Sequence, residues 1–335
     1  MSLLFRILAP TLVGIAAALA AESPPPAAKA PDFGRRVQIL PHAPDAPPAA
    51  SLDADAVTLT PAQKLLYDTM LLVQDESYAE AIPKLEAVIR MDPSLVAAWA
   101  DLGWCYWRTG RVADAETLWN QLLKLNPESA VPYNLLAQIE LDRHNLEAAE
   151  ARLRKSLELD PDPFEIRYAL ALALAWQART FDALPLLQQL IREEPDRVDV
   201  RIELARALRA TQQYEEAAAQ WAQVCAVLPD LPEHRRAYAA CLLASGDLDA
   251  ARREARQAAD QDGDSPASLT LLADVAEVAD RPEEAIAELQ ALIDQADDPI
   301  ARSRLRQRLA ANLRRLHDRD PDRFPLDRII AQCRL

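Results

Sequence analysis

The sequence predicts an all-α chain made by stacking one helical hairpin repeatedly. Three observations carry that prediction. Alanine recurs every 34 residues at Ala81, Ala115, Ala149, Ala183, Ala217, Ala251 and Ala285. Proline recurs on the same interval at Pro93, Pro127, Pro161, Pro195 and Pro229, with no insertion between the two series. Half of the 335 residues are apolar, yet only 5% are aromatic and only six are glycine, a composition that favours helix over sheet. A unit of this length cannot bury its apolar face alone and gains a core by stacking on its neighbours.

In chain order, residues 1–20 read as a secretory signal. Arg6 supplies the positive start, Ile7 to Ala20 the apolar stretch, and Ala18-Leu19-Ala20 a small-residue cleavage site. That stretch is broken by Pro10 and Gly14 and is short for a bilayer span. Export to the periplasm or cell envelope follows as the expected location, with no stable membrane span once the signal is removed. Residues 21–60 are rich in proline and alanine and read as a flexible linker. Helix should begin at Pro61, a favourable first helical residue behind Thr60 as N-cap.

Seven units of 34 residues, from Ala62 to Pro299, then make up the repeat region 61–299. Gly110 and Gly246 stand where a first helix must end, and glycine enters the left-handed conformation that ends it. The alanine series places a small side chain where two helices approach closely, so a leucine at Ala149 would overpack that contact. At the position one proline interval beyond Pro229 stands Gly263, another helix terminator. Residues 300–335 begin with an arginine-rich amphipathic stretch, expected to form a basic capping helix, and end in a short tail.

The second unit carries a family resemblance. Trp99-x-x-Leu102-Gly103-x-x-Tyr106, then Ala115-x-x-x-Trp119, then Pro127, resembles the tetratricopeptide repeat, with tryptophan in place of the usual phenylalanine at 119. Other units match more loosely, through Leu136-Ala137, Leu170-Ala171, Leu204-Ala205 and Leu272-Ala273; the first is weakest, with Asp68-Thr69. The resemblance implies a right-handed α-solenoid, or superhelix, of about seven such repeats whose first helices line a concave groove.

Helical geometry divides the aromatic residues. At roughly 100° per residue, Trp99, Leu102, Gly103 and Tyr106 fall on one packing arc, while Ala97, Ala100, Trp104 and Trp107 fall on another. The first arc, with Trp119, is expected core. The second is the arc that the resemblance assigns to the groove. Carried forward by 34, it selects Asn134 and Gln138, Tyr168 and Leu172, Arg206 and Arg209, and Arg236. This lining runs from aromatic through amide to basic, which suits an extended partner with an apolar anchor and an acidic segment. An equally weighted alternative has the tryptophans packed on a neighbouring unit and the arginines paired with nearby carboxylates. A separate ladder, Arg167, Arg201 and Arg235, should lay its stems over the adjoining helix and keep its heads in water.

A net charge of −15 argues against nucleic acid as partner. The histidines at 42, 144, 234 and 317 lie too far apart in the chain for a metal motif, and there is no glycine-rich phosphate loop. Cys105, Cys225, Cys241 and Cys333 lack the spacing of a zinc site and are expected as free thiols. Neither catalytic residue, cofactor nor metal is expected, and the chain reads as no enzyme. The expected function is a protein–protein interaction scaffold or adaptor. The alternatives are a structural subunit of an envelope assembly, or a receptor stacking a small molecule or carbohydrate on Trp104, Trp107 and Tyr168.

Overall fold

The computed structural model describes residues 59–295 and 298–325. The expected signal, almost all of the linker, Cys333 and the end of the tail lie outside the described residues. Among those described there are fifteen α-helices and no strand. The chain divides into two compact units, between Ala169 and Leu170.

The first unit contains α1 (Pro61–Gln74), α2 (Tyr78–Met91), α3 (Val96–Arg108), α4 (Val112–Leu125), α5 (Ala130–Asp142), α6 (Leu146–Leu159) and the start of α7 (Phe164–Trp176). Thr60 caps α1 as expected: its hydroxyl accepts from the Gln63 N–H at 3.2 Å, and the Gln63 side chain accepts from the Thr60 N–H at 2.9 Å. From α1 to α6 each helix packs on the next, and first helices also touch one another, α1 on α3 and α3 on α5. The core between them is continuous, joining Leu66, Leu85, Leu102, Trp119, Leu136 and Ile139.

The second unit begins in the latter part of α7. It continues through α8 (Thr180–Glu193), α9 (Val198–Ala210), α10 (Tyr214–Val227), α11 (Pro232–Ser245), α12 (Leu248–Asp262), α13 (Pro266–Val278), α14 (Pro282–Gln295) and α15 (Pro299–Arg319). Consecutive helices from α8 to α15 again pack in order. The last helix is capped by Asp298, whose carboxylate accepts from the N–H groups of Ile300 and Ala301. It buries Leu309, Leu313 and Leu316. Arg308 on α15 reaches Asp274 at 2.6 Å and Glu277 at 3.0 Å, and Asn312 donates to Glu277 at 2.8 Å. The expected basic helix is therefore tied to α13 by a polar lock as well as by leucines.

Why the period is 34 is visible in three recurring contacts. The first is the alanine series. All seven residues, from Ala81 to Ala285, are 0% exposed. A Cβ is the largest group each site admits, which is why composition stays so constant there.

The second contact is the turn inside each hairpin. Residues 76, 110, 144, 178, 212, 246 and 280 all have positive φ, from 56° to 92°. The N–H of the following residue bonds back to the carbonyl five residues earlier, at 2.7–3.0 Å in all seven turns. This is the Schellman closure of a helix C-terminus. Gly110 and Gly246 meet the requirement without strain. Glu76, His144, Ala178, Gln212 and Asp280 meet it against the steric preference of a side chain.

The third contact clamps the connector between hairpins. Trp99 donates its indole N–H to the Pro93 carbonyl at 3.0 Å, and Tyr133 its hydroxyl to Pro127 at 3.3 Å. Arg235 donates to the Pro229 carbonyl at 3.3 Å, Arg201 to Pro195, and Arg167 to Asp162. The arginine ladder thus differs from its expected role. The Arg235 head, expected in water, is held by Glu254 at 2.9 Å as well as by the connector, and its side chain is only 11% exposed. An unpaired connector carbonyl beside a packed helix end would be costly, and a guanidinium satisfies it as well as an indole does.

In the second repeat the contact between hairpin partners is tighter still. A Cβ built on Gly103 would lie 2.0 Å from Nε1 of Trp119, whose ring is fully buried. Gly103→Ala is therefore expected to destabilise by about 1–3 kcal/mol. Most of that loss should be recovered in the double variant with Trp119→Leu, measured as a coupling energy by urea unfolding. At the strained turn, Gln212→Gly should raise stability by roughly 0.5–1 kcal/mol, because relief of left-handed strain exceeds the added chain entropy. An unchanged midpoint would remove the strain argument.

Candidate partner-binding site

In the first unit the groove arc of α3 is set by its neighbours. Trp99, Tyr106 and Trp119 are core as expected, at 9%, 9% and 0% exposure. Trp104, on the other arc, is only 6% exposed, because α3 also packs on α5 and buries a second side of itself. Trp107 remains partly exposed and meets Trp104 edge to face, with ring centroids 4.9 Å apart. On the next first helix, α5, Asn134 and Gln138 stand a turn apart and are buried, at 6% and 4%. Oδ1 of Asn134 and Nε2 of Gln138 have no hydrogen-bond partner among the described residues. Two amides in this state each cost on the order of 1–3 kcal/mol unless something completes them. Tyr168, at 3% exposure, completes the selected residues of this unit.

Register reasoning did not select Asp101, which shares the arc of Ala97, Trp104 and Arg108. The side chain is only partly exposed and makes no hydrogen bond or ion pair among the described residues. Burial alone pushes its carboxyl up to about 7. The same burial pushes the Cys105 thiol up to about 12, and the Asp101 charge adds to that. The signal was present in the sequence as a carboxylate on the groove arc between two tryptophans. Its enclosure depends on packing that the spacing does not reveal.

In the second unit the selected residues differ in state. Leu172 is 5% exposed and belongs to the packing of its unit. Arg206 is exposed on α9 and pairs with Glu203 at 2.7 Å, while Arg209 is partly exposed. Arg236 on α11 is engaged by the carboxylate of Asp262 at the end of α12 and reaches Ser268 at 3.4 Å. Burial opposes ionisation of Asp262. The hydrogen bonds of Ser265 and Ser268, together with the Arg236 charge, nevertheless hold its carboxyl below the usual range. Arg206 is thus the most open of these groups, with 55% of its side chain exposed.

The three described cysteines, Cys105, Cys225 and Cys241, are free and buried, as expected. Burial raises the latter two thiols to about 11, well away from the low values of reactive cysteines. Among the described residues, no helix is long and apolar enough to cross a membrane.

Stacked helical hairpins with a fixed unit length and an aromatic and amide face define a repeat protein of the interaction-module class. Profiles of the tetratricopeptide repeat match residues 72–139, 179–241 and 242–309, and a second such profile matches 134–183. With more than half of its length matched, the chain belongs to the tetratricopeptide repeat family. Among solved structures it is similar to YrrB, described as a TPR protein with an unusual peptide-binding site. That likeness has a TM-score of 0.51 and 21% identity, and covers 56% of this chain and 97% of the other. It is also similar to MamA 41-end from Desulfovibrio magneticus RS-1, with a TM-score of 0.47 and 18% identity, over 50% of this chain and 97% of that one. PilF of Pseudomonas aeruginosa gives a TM-score of 0.49 and 19% identity, over 63% of this chain and 96% of that one. The likeness to YrrB supports the fold alone. No curated protein matches the sequence.

The enclosed Asp101 has a measurable consequence. Its folded pKa of about 7 stands above the ordinary carboxylate value, so the folded chain holds an extra proton between about pH 4 and pH 7. Stability from this group therefore falls as pH rises through that window and levels off above it. Asp101→Asn should add stability on the order of a few kcal/mol at pH 8 and little at pH 4. Urea unfolding of both forms at pH 4, 6 and 8 checks this, and a gap that does not widen with pH would contradict it.

Proposed function

We propose that this chain is a protein-interaction scaffold or adaptor of the cell envelope, and that the first-helix faces of its units dock extended segments of partner proteins. The observation that carries the reading is the face of α3 and α5. There α3 carries a tryptophan pair, and the groove arc of the next first helix, α5, carries Asn134 and Gln138, whose Oδ1 and Nε2 find no partner among the described residues. Aromatic rings supply contact area with little loss of side-chain freedom, and amides match the donors and acceptors of a main chain. A rigid stack presents both already ordered, so the ordering cost falls on the partner segment.

In the second unit, Arg206 and Arg209 form the part of the face suited to an acidic segment. Arginine binds carboxylates through paired donors, and Glu203 occupies only part of the Arg206 fork. The envelope location rests on the expected signal in residues 1–20.

Selection of peptides from a random display library on the intact chain tests the reading. Selected peptides should bind at least tenfold more weakly to a Trp107→Ala, Gln138→Leu variant whose circular dichroism is unchanged. Acidic members of the selected set should lose affinity to Arg206→Ala, Arg209→Ala. Peptides that bind both variants as well as the original, or a selection that yields none, would refute the proposed docking faces.

A further inference from the structure

We infer that the outward face of α1 pairs with the same face of a second copy of this chain, the two helices running antiparallel about a two-fold axis. This pairing is independent of the docking of partner segments on the groove arcs.

The face is recognised by what covers its counterparts. Leu71 on α1 is 53% exposed. At the same place in later units stand Cys105, Ile139, Ala207, Cys241, Val275 and Leu309, none of them more than 4% exposed. Each of these six lies on a first helix against which the second helix of the preceding hairpin packs. Among the described residues no helix precedes α1, so the surface that those helices bury stays open on it. Lys64 repeats the pattern: it is exposed, whereas Ala98, Val200 and Ser268 at the equivalent place are 0% exposed. Tyr67, at 44% exposure, lies between Lys64 and Leu71. A stack ends stably on a polar face, and an end that shows a tyrosine and a leucine gains by covering them.

The charges on this face select the occupant. At roughly 100° per residue, Lys64, Tyr67, Asp68, Leu71 and Asp75 fall within an arc of about 100°. Lys64 stands at one end of the face and Asp75 at the other, about 16 Å apart along the axis, with Tyr67 and Leu71 between them. None of the three charged side chains makes a hydrogen bond or ion pair among the described residues. A face that is positive at one end, negative at the other and apolar between is its own complement when turned end to end. With the axis level with Thr69, Tyr67 of each copy meets Leu71 of the other, and Lys64 of each comes within reach of Asp75 of the other. Asp68 falls near the axis at the edge of the face, where the two copies repel each other, and this keeps the contact weak. The stretch that leads into α1 fits less well. Residues 41–58 carry four prolines, three aspartates and no lysine or arginine, which suits neither a covering helix nor a face with two carboxylates. Because one face meets itself, the contact closes: it gives a dimer and no filament.

Sedimentation of the intact chain from about 10 μM to about 1 mM tests the inference. A monomer–dimer equilibrium is expected, with a dissociation constant on the order of 100 μM, since one pair of helices buries less than a stable interface needs. Leu71→Lys, at an exposed site, should weaken it at least tenfold with circular dichroism unchanged. Lys64→Asp and Asp75→Lys should each weaken it by a similar factor, because each sets like charges against one another. Both place a charge that suits its end of the helix, so α1 should still form. Mixed together, these two variants should associate as tightly as the original, since each supplies the charge that the other lacks. That recovery is specific to one face meeting itself in antiparallel fashion.

A chain that stays monomeric to about 1 mM would overturn the inference, as would a dimer that survives Leu71→Lys or a mixture no tighter than its components. In a monomeric chain, NMR shifts at Leu71 on deletion of residues 33–40, which carry Arg35 and Arg36, would assign the face to that segment instead. Failure of the peptide selections would refute the docking faces and leave this pairing untouched.

Discussion

Every feature of this molecule depends on how closely its helices can approach. Seven alanines with no exposed surface set that distance, one per hairpin. Because nothing larger fits, the axes of successive helices are fixed by contact between backbones and Cβ atoms. The remaining side chains then fill a space whose dimensions are already decided. Gly103 shows the limiting case. There even a Cβ is excluded, and the Trp119 ring lies against the backbone of the facing helix. The leucine and tryptophan core follows from that spacing.

Close stacking also explains the character of the proposed site. When α3 packs on α5 as well as on α2 and α4, side chains that a single helix would show to water become enclosed. Trp104 is nearly dry, and Asn134, Gln138 and Asp101 keep their polarity in a place where water is scarce. Most proteins avoid such residues or pair them internally. Here, polar groups that fold stability alone would disfavour stand on the groove arcs of two successive first helices, α3 and α5.

Much of the architecture was legible in the sequence because its physics is local and repeated. The alanine and proline series, Thr60 as a cap, and the separation of Trp99 and Trp119 from the second arc all follow from periodicity and helix geometry. Other features are not local. Left-handed turns at Glu76, His144, Ala178, Gln212 and Asp280 use residues that give no turn signal, since tertiary packing imposes the conformation. Arg236 carried the expected charge, but Asp262, 26 residues away, engages it, a partner that register alone does not select. The heads of Arg201 and Arg235 lie on connector carbonyls because those carbonyls would otherwise lack a donor. Asp101 escaped selection because a carboxylate's enclosure belongs to its neighbours rather than to its own position.

The clamp on the connectors sets a rule for how such a chain can change in length. A side chain six residues along the chain reaches back to the Pro93, Pro127, Pro195 and Pro229 carbonyls. One extra residue in any of these loops would carry the carbonyl out of reach and rotate the next helix by about 100° off its packing face. Growth or shortening is therefore quantised: a whole hairpin can be gained or lost with every clamp preserved, whereas a single inserted residue breaks the ruler.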